Sequence, residues 1–308
     1  MVKMRKRVGL VVFAGIALLV TGSVALANVA ADLQVGCRPQ GMGGAFVAVA
    51  DDVNAAWWNP AGIAQVEKGA FSFLHSNPFG VSNFSLDYLT YAAPGTLSFI
   101  KGGFALSYLK QAAKLEEGAD GTSNEMVAPE MYILSVGGTA VENKLYYGLN
   151  FKGIALSAEV TGEGDVRKGG FAADIGILYW ISDRFSMGAV RKNMAASLGN
   201  EGFPGSLRLG FAGKFLDDKL ILAADFNSKE DIEGEEGTTW QSHFGVEWKV
   251  MPSFALRLGS DKGNFTAGFG FKFGLPGKLA PEGVLDYSYA SDEKLGSTSR
   301  FSFTILFK

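Results

Sequence analysis

The sequence predicts an all-β chain: a transmembrane antiparallel β-barrel of about 14 strands with an N-terminal plug, or hatch, inside it. Three observations predict it. From Phe71 onward the apolar residues recur at every second position, as in Phe301, Phe303, Ile305 and Phe307 or Phe265, Ala267, Phe269, Phe271 and Phe273. One face is oily and the other polar or small, the pattern of half-buried strands. The runs reach about ten residues, which suits a tilted membrane crossing better than a globular strand. Connections then alternate between tight turns and long polar loops.

Composition agrees. Glycine occurs 41 times in 308 residues, nearly twice the usual ~7%. Phenylalanine occurs 24 times, and charged residues make up only 19%. The net charge is −3, and cleavage of a leader carrying Lys3, Arg5, Lys6 and Arg7 makes the remainder more acidic. That excludes a nucleic-acid partner, which needs a basic footprint.

Residues 1–27 read as a cleaved signal peptide: a basic start, an apolar middle from Val8 to Val20, and Ala25-Leu26-Ala27 as a small-x-small exit. Cys37 is the sole cysteine, so no internal disulfide forms; it reads as a small buried residue.

Residues 28–69 form the expected plug, and 70–308 the barrel. Gly41, Gly43 and Gly44 permit positive φ or close backbone approach. Ala45 to Ala50 are mostly small and apolar. Asp51 or Asp52 is placed to cap a short helix near Val53, with Asn54 following. Asn59 is pushed out of the α region by Pro60, which opens a further turn through Ala61 and Gly62.

The run GMGGAFVAVADDVNAAWWNPAGIAQ resembles the N-terminal signature of the FadL-like outer-membrane proteins, most closely the PorV/PorQ-type branch. Gly41, Gly43, Gly44, Ala45, Asp51, Asp52, Asn54, Asn59, Pro60, Ala61 and Gly62 carry the likeness. It implies a hatch within a 14-stranded barrel, a bacterial outer-membrane location, and passive admission of a hydrophobic or amphipathic small molecule of fatty-acid or hydrocarbon type. Outer-membrane lipid and lipopolysaccharide would surround the protein. The PorV-like alternative is a scaffold or shuttle that binds secreted cargo and a secretion-machinery protein.

The expected strands are 70–76, 83–92, 97–110, 130–140, 144–156, 170–181, 184–192, 205–215, 219–228, 238–249, 253–261, 264–274, 282–291 and 298–307. Tight turns are expected at Ala93-Pro94-Gly95, Glu142-Asn143, Ser182-Asp183, Asp217-Asp218 and Met251-Pro252. Long loops are expected at 111–129, 157–169, 193–204 and 229–237, with Asp261-Lys262-Gly263 and Leu275 to Pro281 breaking the rule. Tyr88, Tyr108, Trp240, Trp248, Tyr287 and Tyr289 are candidates for aromatic girdles. Gly102-Gly103 and Gly137-Gly138 are candidates for a bulge or gap in the wall.

Catalytic and cofactor chemistry is not indicated. Gly41-x-Gly43-Gly44 follows no strand and lacks the spacing of a dinucleotide fingerprint. Ser107-x-x-Lys110 and Ser291-x-x-Lys294 match a tetrad without its companion motifs. His243 should face the lumen and His75 the upper rim, too separate for a triad or a metal site. Asp51, Asp52 and Asn54 fall short of the six to eight oxygens calcium requires. The acidic stretches Glu116 to Asp120 and Glu230 to Glu236 read as solvated loops. No enzyme, metal or cofactor is expected.

Overall fold

The computed structural model describes residues 34–81, 83–97, 100–114, 126–160, 164–199, 201–202, 205–229, 239–276, 282–293 and 295–307. The expected signal peptide, the first residues of the 28–69 segment, the two acidic stretches and Lys294 lie outside the described residues.

The strands are β1 (Ala70–Ser76), β2 (Phe84–Leu97), β3 (Ile100–Lys114), β4 (Met126–Val141), β5 (Leu145–Val160), β6 (Gly164–Trp180), β7 (Phe185–Leu198), β8 (Glu201–Gly202), β9 (Ser206–Phe215), β10 (Leu220–Lys229), β11 (Thr239–Met251), β12 (Phe254–Asp261), β13 (Asn264–Gly274), β14 (Glu282–Asp292) and β15 (Gly296–Leu306). Sequence neighbours pair antiparallel, β1 pairs with β15, and β6 with β7. The two-residue β8 only folds back on β7, which also pairs with β9. Fourteen staves therefore close a barrel. Closure leaves no open edge, the condition for strands in lipid. Phe307 N–H donates to the Gly69 carbonyl at 2.7 Å, so the two ends of the barrel chain meet at one rim.

The barrel is oily outside and polar inside. Phe104, Leu106, Phe151, Phe171, Phe211, Phe244, Phe265 and Phe301 are exposed on the outer wall, while Asn150, Asp174, Arg208, Asp225, Glu247 and Arg257 are buried within. An apolar outer surface of this extent calls for hydrocarbon around it.

Several expectations are corrected. Ala93-Pro94-Gly95 is strand, with Pro94 opposite Gly103. Pairing with β1 ends at Ala92, so Pro94 has a neighbour on one side only, where a residue without an N–H is tolerated. Of the loop expected at 111–129, residues 111–114 and 126–129 are strand and the rest lies outside the described residues; of that expected at 157–169, residues 157–160 and 164–169 are strand. Strands β4, β5 and β6 run 16, 16 and 17 residues, about 50 Å at ~3.3 Å per residue and more than a tilted crossing of a ~30 Å core needs. Backbone pairing there runs beyond the length over which lipid imposes an apolar alternation, so the sequence pattern does not mark these strand ends.

Tyr88 is not a girdle residue. It points inward, almost wholly buried, with its hydroxyl donating to Ser107 Oγ at 3.1 Å. Both parities of β2 carry apolar residues, which hides its facing in the sequence. Nor do the glycine pairs form a bulge: Gly102 faces Gly138 and Gly103 faces Gly137 in unbroken register. The register shifts lie elsewhere, above all in β6–β7 between Phe171 and Ile175. There Asn193 and Ala195 take positive φ (57° and 48°), and Asp174 Oδ1 accepts the Asn193 N–H at 2.9 Å.

Candidate functional site

The N-terminal segment, residues 34–66, lies against the inward-facing residues of the wall. Helix α1 (Cys37–Gly41) packs on β12 to β15, and the 3-10 turn Pro60–Gln65 on β2 to β6; α2 (Ala55–Trp58) lies between. Helical pieces of five, four and six residues are too short to persist alone, so the wall holds them.

It does so first by glycine. Gly103, Gly137, Gly148 and Gly176 stand opposite one another across β3 to β6. A Cβ on Gly103 would lie 2.6 Å from the Ile63 carbonyl oxygen, and one on Gly137 2.6 Å from Ala64 N. On Gly148 it would overlap Pro60, and on Gly176 the Asn59 side chain. Gly188 meets Val47, Gly245 meets Met42, Gly259 meets Gly43, and Gly268 meets Gly41. The segment's backbone thus rests directly on strand backbone, which no residue with a side chain would permit. Much of the glycine excess is this seat.

Polar side chains of the wall grip the segment second. Asp225 Oδ2 accepts the N–H groups of Phe46 and Val47 at 2.9 and 3.0 Å. Arg208 donates to Asp225 (3.1 Å) and to the Gly44 carbonyl (2.6 Å). Ser186 donates to the Ala48 carbonyl (2.8 Å), and Asn150 to those of Ala56 (2.9 Å) and Asp174's carboxylate (2.8 Å). His243 Nδ1 lies 3.1 Å from the Gly43 carbonyl and 3.0 Å from Asp261. Lys192 sits over the rings of Trp57 and Trp58 (5.1 and 5.7 Å), and Arg208 over Trp58 (4.7 Å), cation–π contacts in a desolvated place.

The third element is ionic. Arg38 bonds Asp51 (2.5 Å) and Asp52 (2.8 Å) within the segment and forks onto Glu247 of β11 through Nε (2.8 Å) and Nη2 (2.9 Å). Arg257 donates to the same Glu247 (2.7 Å) and to Asp286 (2.6 Å). Such bidentate, charge-assisted bonds fix geometry as well as charge. Two guanidiniums here face four carboxylates. Burial, opposed by Arg38 and reinforced by the Asp51 charge, pushes the Asp52 carboxyl above its ordinary pKa.

The sequence-picked residues all fall in this segment. Gly43 and Gly44 take positive φ (63° and 76°); Gly41 ends α1 with ordinary helical backbone. Ala45 and Ala61 are fully buried, and a Cβ on Gly62 would overlap the Ala50 carbonyl. Asp52 Oδ1 accepts the Asn54 N–H and Nδ2 (2.8 and 2.9 Å), a local turn rather than a cap on α2. Asp51 instead faces Arg38. Asn59 caps the 3-10 turn through Ala61 N–H (3.1 Å) and donates to the Val47 and Ile177 carbonyls (2.9 and 3.1 Å), with Pro60 next. Sequence reasoning missed Arg38 and its wall partner Glu247, Arg257 on the same carboxylate, and the separate pair Arg208–Asp225. The available signal was ionisable residues on the small-residue parity of membrane-length strands.

The other motifs do not converge. Ser107 faces inward, bonded to Thr90 Oγ1 (2.8 Å), whereas Lys110 lies on the outward parity near Glu130. His75 is on the outer face, 2.6 Å from Asp87.

A family model described as Uncharacterised protein family (UPF0164) matches residues 20–172. No curated protein matches the chain. Among solved structures the chain is similar to the Pseudomonas putida toluene transporter TodX (TM-score 0.62, 13% identity, covering 90% of this chain and 98% of that one). It is also similar to the Ralstonia pickettii toluene transporter TbuX (0.59, 14%, 89% and 97%) and a Pseudomonas aeruginosa FadL homologue (0.60, 14%, 89% and 98%). At such identities the likeness is one of fold.

Proposed function

We propose that the chain is an outer-membrane channel admitting hydrophobic or amphipathic small molecules passively, with the N-terminal segment as its hatch. What carries this reading is a closed barrel with an oily outer wall whose inward-facing residues contact the 34–66 segment. The fold shared with the toluene transporters and the FadL homologue supports it. Toward the rim opposite the termini, one side of the lumen is apolar: Leu74, Tyr88, Leu109, Met131 and Ile154 stand in register across β1 to β5 and are buried. An apolar solute gains by leaving water for such a surface.

Whole-segment expulsion would take Arg38 from Glu247, leaving it Arg257 alone, and two backbone N–H donors from Asp225, leaving it Arg208 alone, at a cost of about 1–3 kcal/mol for each buried group left short of partners. The hatch therefore opens by local rearrangement, with the Gly43-Gly44 turn as the hinge. The run resembling the PorV/PorQ-type branch supports assigning the chain to that side of the fold.

Uptake of toluene or oleate into protein-containing liposomes, compared with empty ones, tests the reading. Equal uptake in both removes it. A stable complex with a large secreted protein, without uptake, would replace it with the scaffold reading.

A further inference from the structure

Arg208 and Arg257 of the inner wall are paired to carboxylates, but Arg300 of β15 is not. It is 7% exposed and faces inward, and its Nε and Nη1 have no hydrogen-bond partner. A guanidinium cannot shed its charge to escape burial, so its donors call for an acceptor.

Its two ladder partners are neutral. In the ladder Arg300 stands between Ser76 of β1 and Ser288 of β14. Both serine hydroxyls are buried; Ser76 Oγ has no partner, and Ser288 Oγ has only the weak partner Cys37 beside it. Cys37 of the N-terminal segment adjoins Ser288 and Ser302. Burial pushes its thiol up to about 11, so it is neutral and no counter-ion. The acid acting on Arg300 from nearby is Asp261, which lies 3.0 Å from His243.

We propose that Arg300, with Ser76 and Ser288, is a binding site for a small oxyanion group, a carboxylate or a phosphate. The guanidinium supplies charge and directed N–H donors, and the two hydroxyls donate from either side. The group is either a free anion or the head of an amphiphile. For the second the lumen has a matching wall: the apolar row Leu74, Tyr88, Leu109, Met131, Ile154 begins beside Ser302, one inward position from Arg300. The site itself stands apart from the uptake reading; only the amphiphile as source rests on it.

The test uses the full chain in a neutral maltoside micelle, with folding checked by heat-modifiable electrophoretic mobility. Decanoate, decanol and inorganic phosphate are titrated calorimetrically into the parent, R300Q and R300K. Decanoate binding at least tenfold tighter than decanol, reduced to the decanol level in R300Q and partly kept in R300K, supports an amphiphile head. Phosphate binding that is lost in R300Q supports a free anion. Should R300Q fail to fold, S76A/S288A is expected to weaken the same anion severalfold. Decanoate and phosphate affinities unchanged in these variants, or absent in the parent, overturn the site. Decanol binding and hydrocarbon uptake would persist in that case, leaving the uptake reading intact.

Discussion

Gly148 of β5 and Pro60 of the N-terminal segment touch backbone to backbone, so closely that a Cβ on Gly148 would overlap the Pro60 carbonyl. On one neighbouring stave Gly137 repeats the arrangement, and on the other Gly176 makes room for the Asn59 side chain and the Pro60 ring. The segment is thus seated by the wall's lack of side chains as much as by its polar groups.

G148V should displace the Pro60–Gln65 turn. Overpacking of this kind costs about 1–3 kcal/mol, and a β-strand tolerates valine well, so the barrel should still form. Limited proteolysis should cleave the 34–66 segment faster while the folded-barrel mobility persists.

R38A should cost more. It leaves Asp51 and Asp52 without their guanidinium and Glu247 with Arg257 alone, and breaking a buried pair by removing one partner typically costs about 3–5 kcal/mol. Planar-bilayer recordings should show conductance events absent from the parent. Recordings without such events would mean that this network does not hold the segment in place.

D225A removes the acceptor for two backbone N–H groups and strips Arg208 of its carboxylate. Each unsatisfied buried group costs about 1–3 kcal/mol. Amide exchange at Phe46 and Val47 should accelerate by at least tenfold, whereas amides of β1 should be unaffected.

Asp52 gives the docked segment a pH dependence. Its carboxyl pKa is raised from 3.8 by burial, against the pull of Arg38, so the docked state binds the proton more tightly than the released one. Asp52's contribution therefore grows as pH falls through the raised value and levels off below 3.8; at neutral pH it is weakest. Proteolysis of the segment should slow on moderate acidification, and D52N should flatten that response.

The period of two, the length of the apolar runs and the turn residues were enough to determine an antiparallel barrel. They also marked the 41–62 run as a unit, because glycine, Asn-Pro and small apolar residues constrain backbone locally. Strand ends were less legible: β4 to β6 outrun their alternation because hydrogen bonding does not depend on which face meets lipid. What only the tertiary structure decided is which wall residues receive the segment. Gly103, Gly137, Gly148 and Gly176 lie on four strands and become one surface only through register, and Arg38 meets Glu247 across 209 positions of sequence. Such pairings depend on closure of the sheet, and local sequence carries no measure of it.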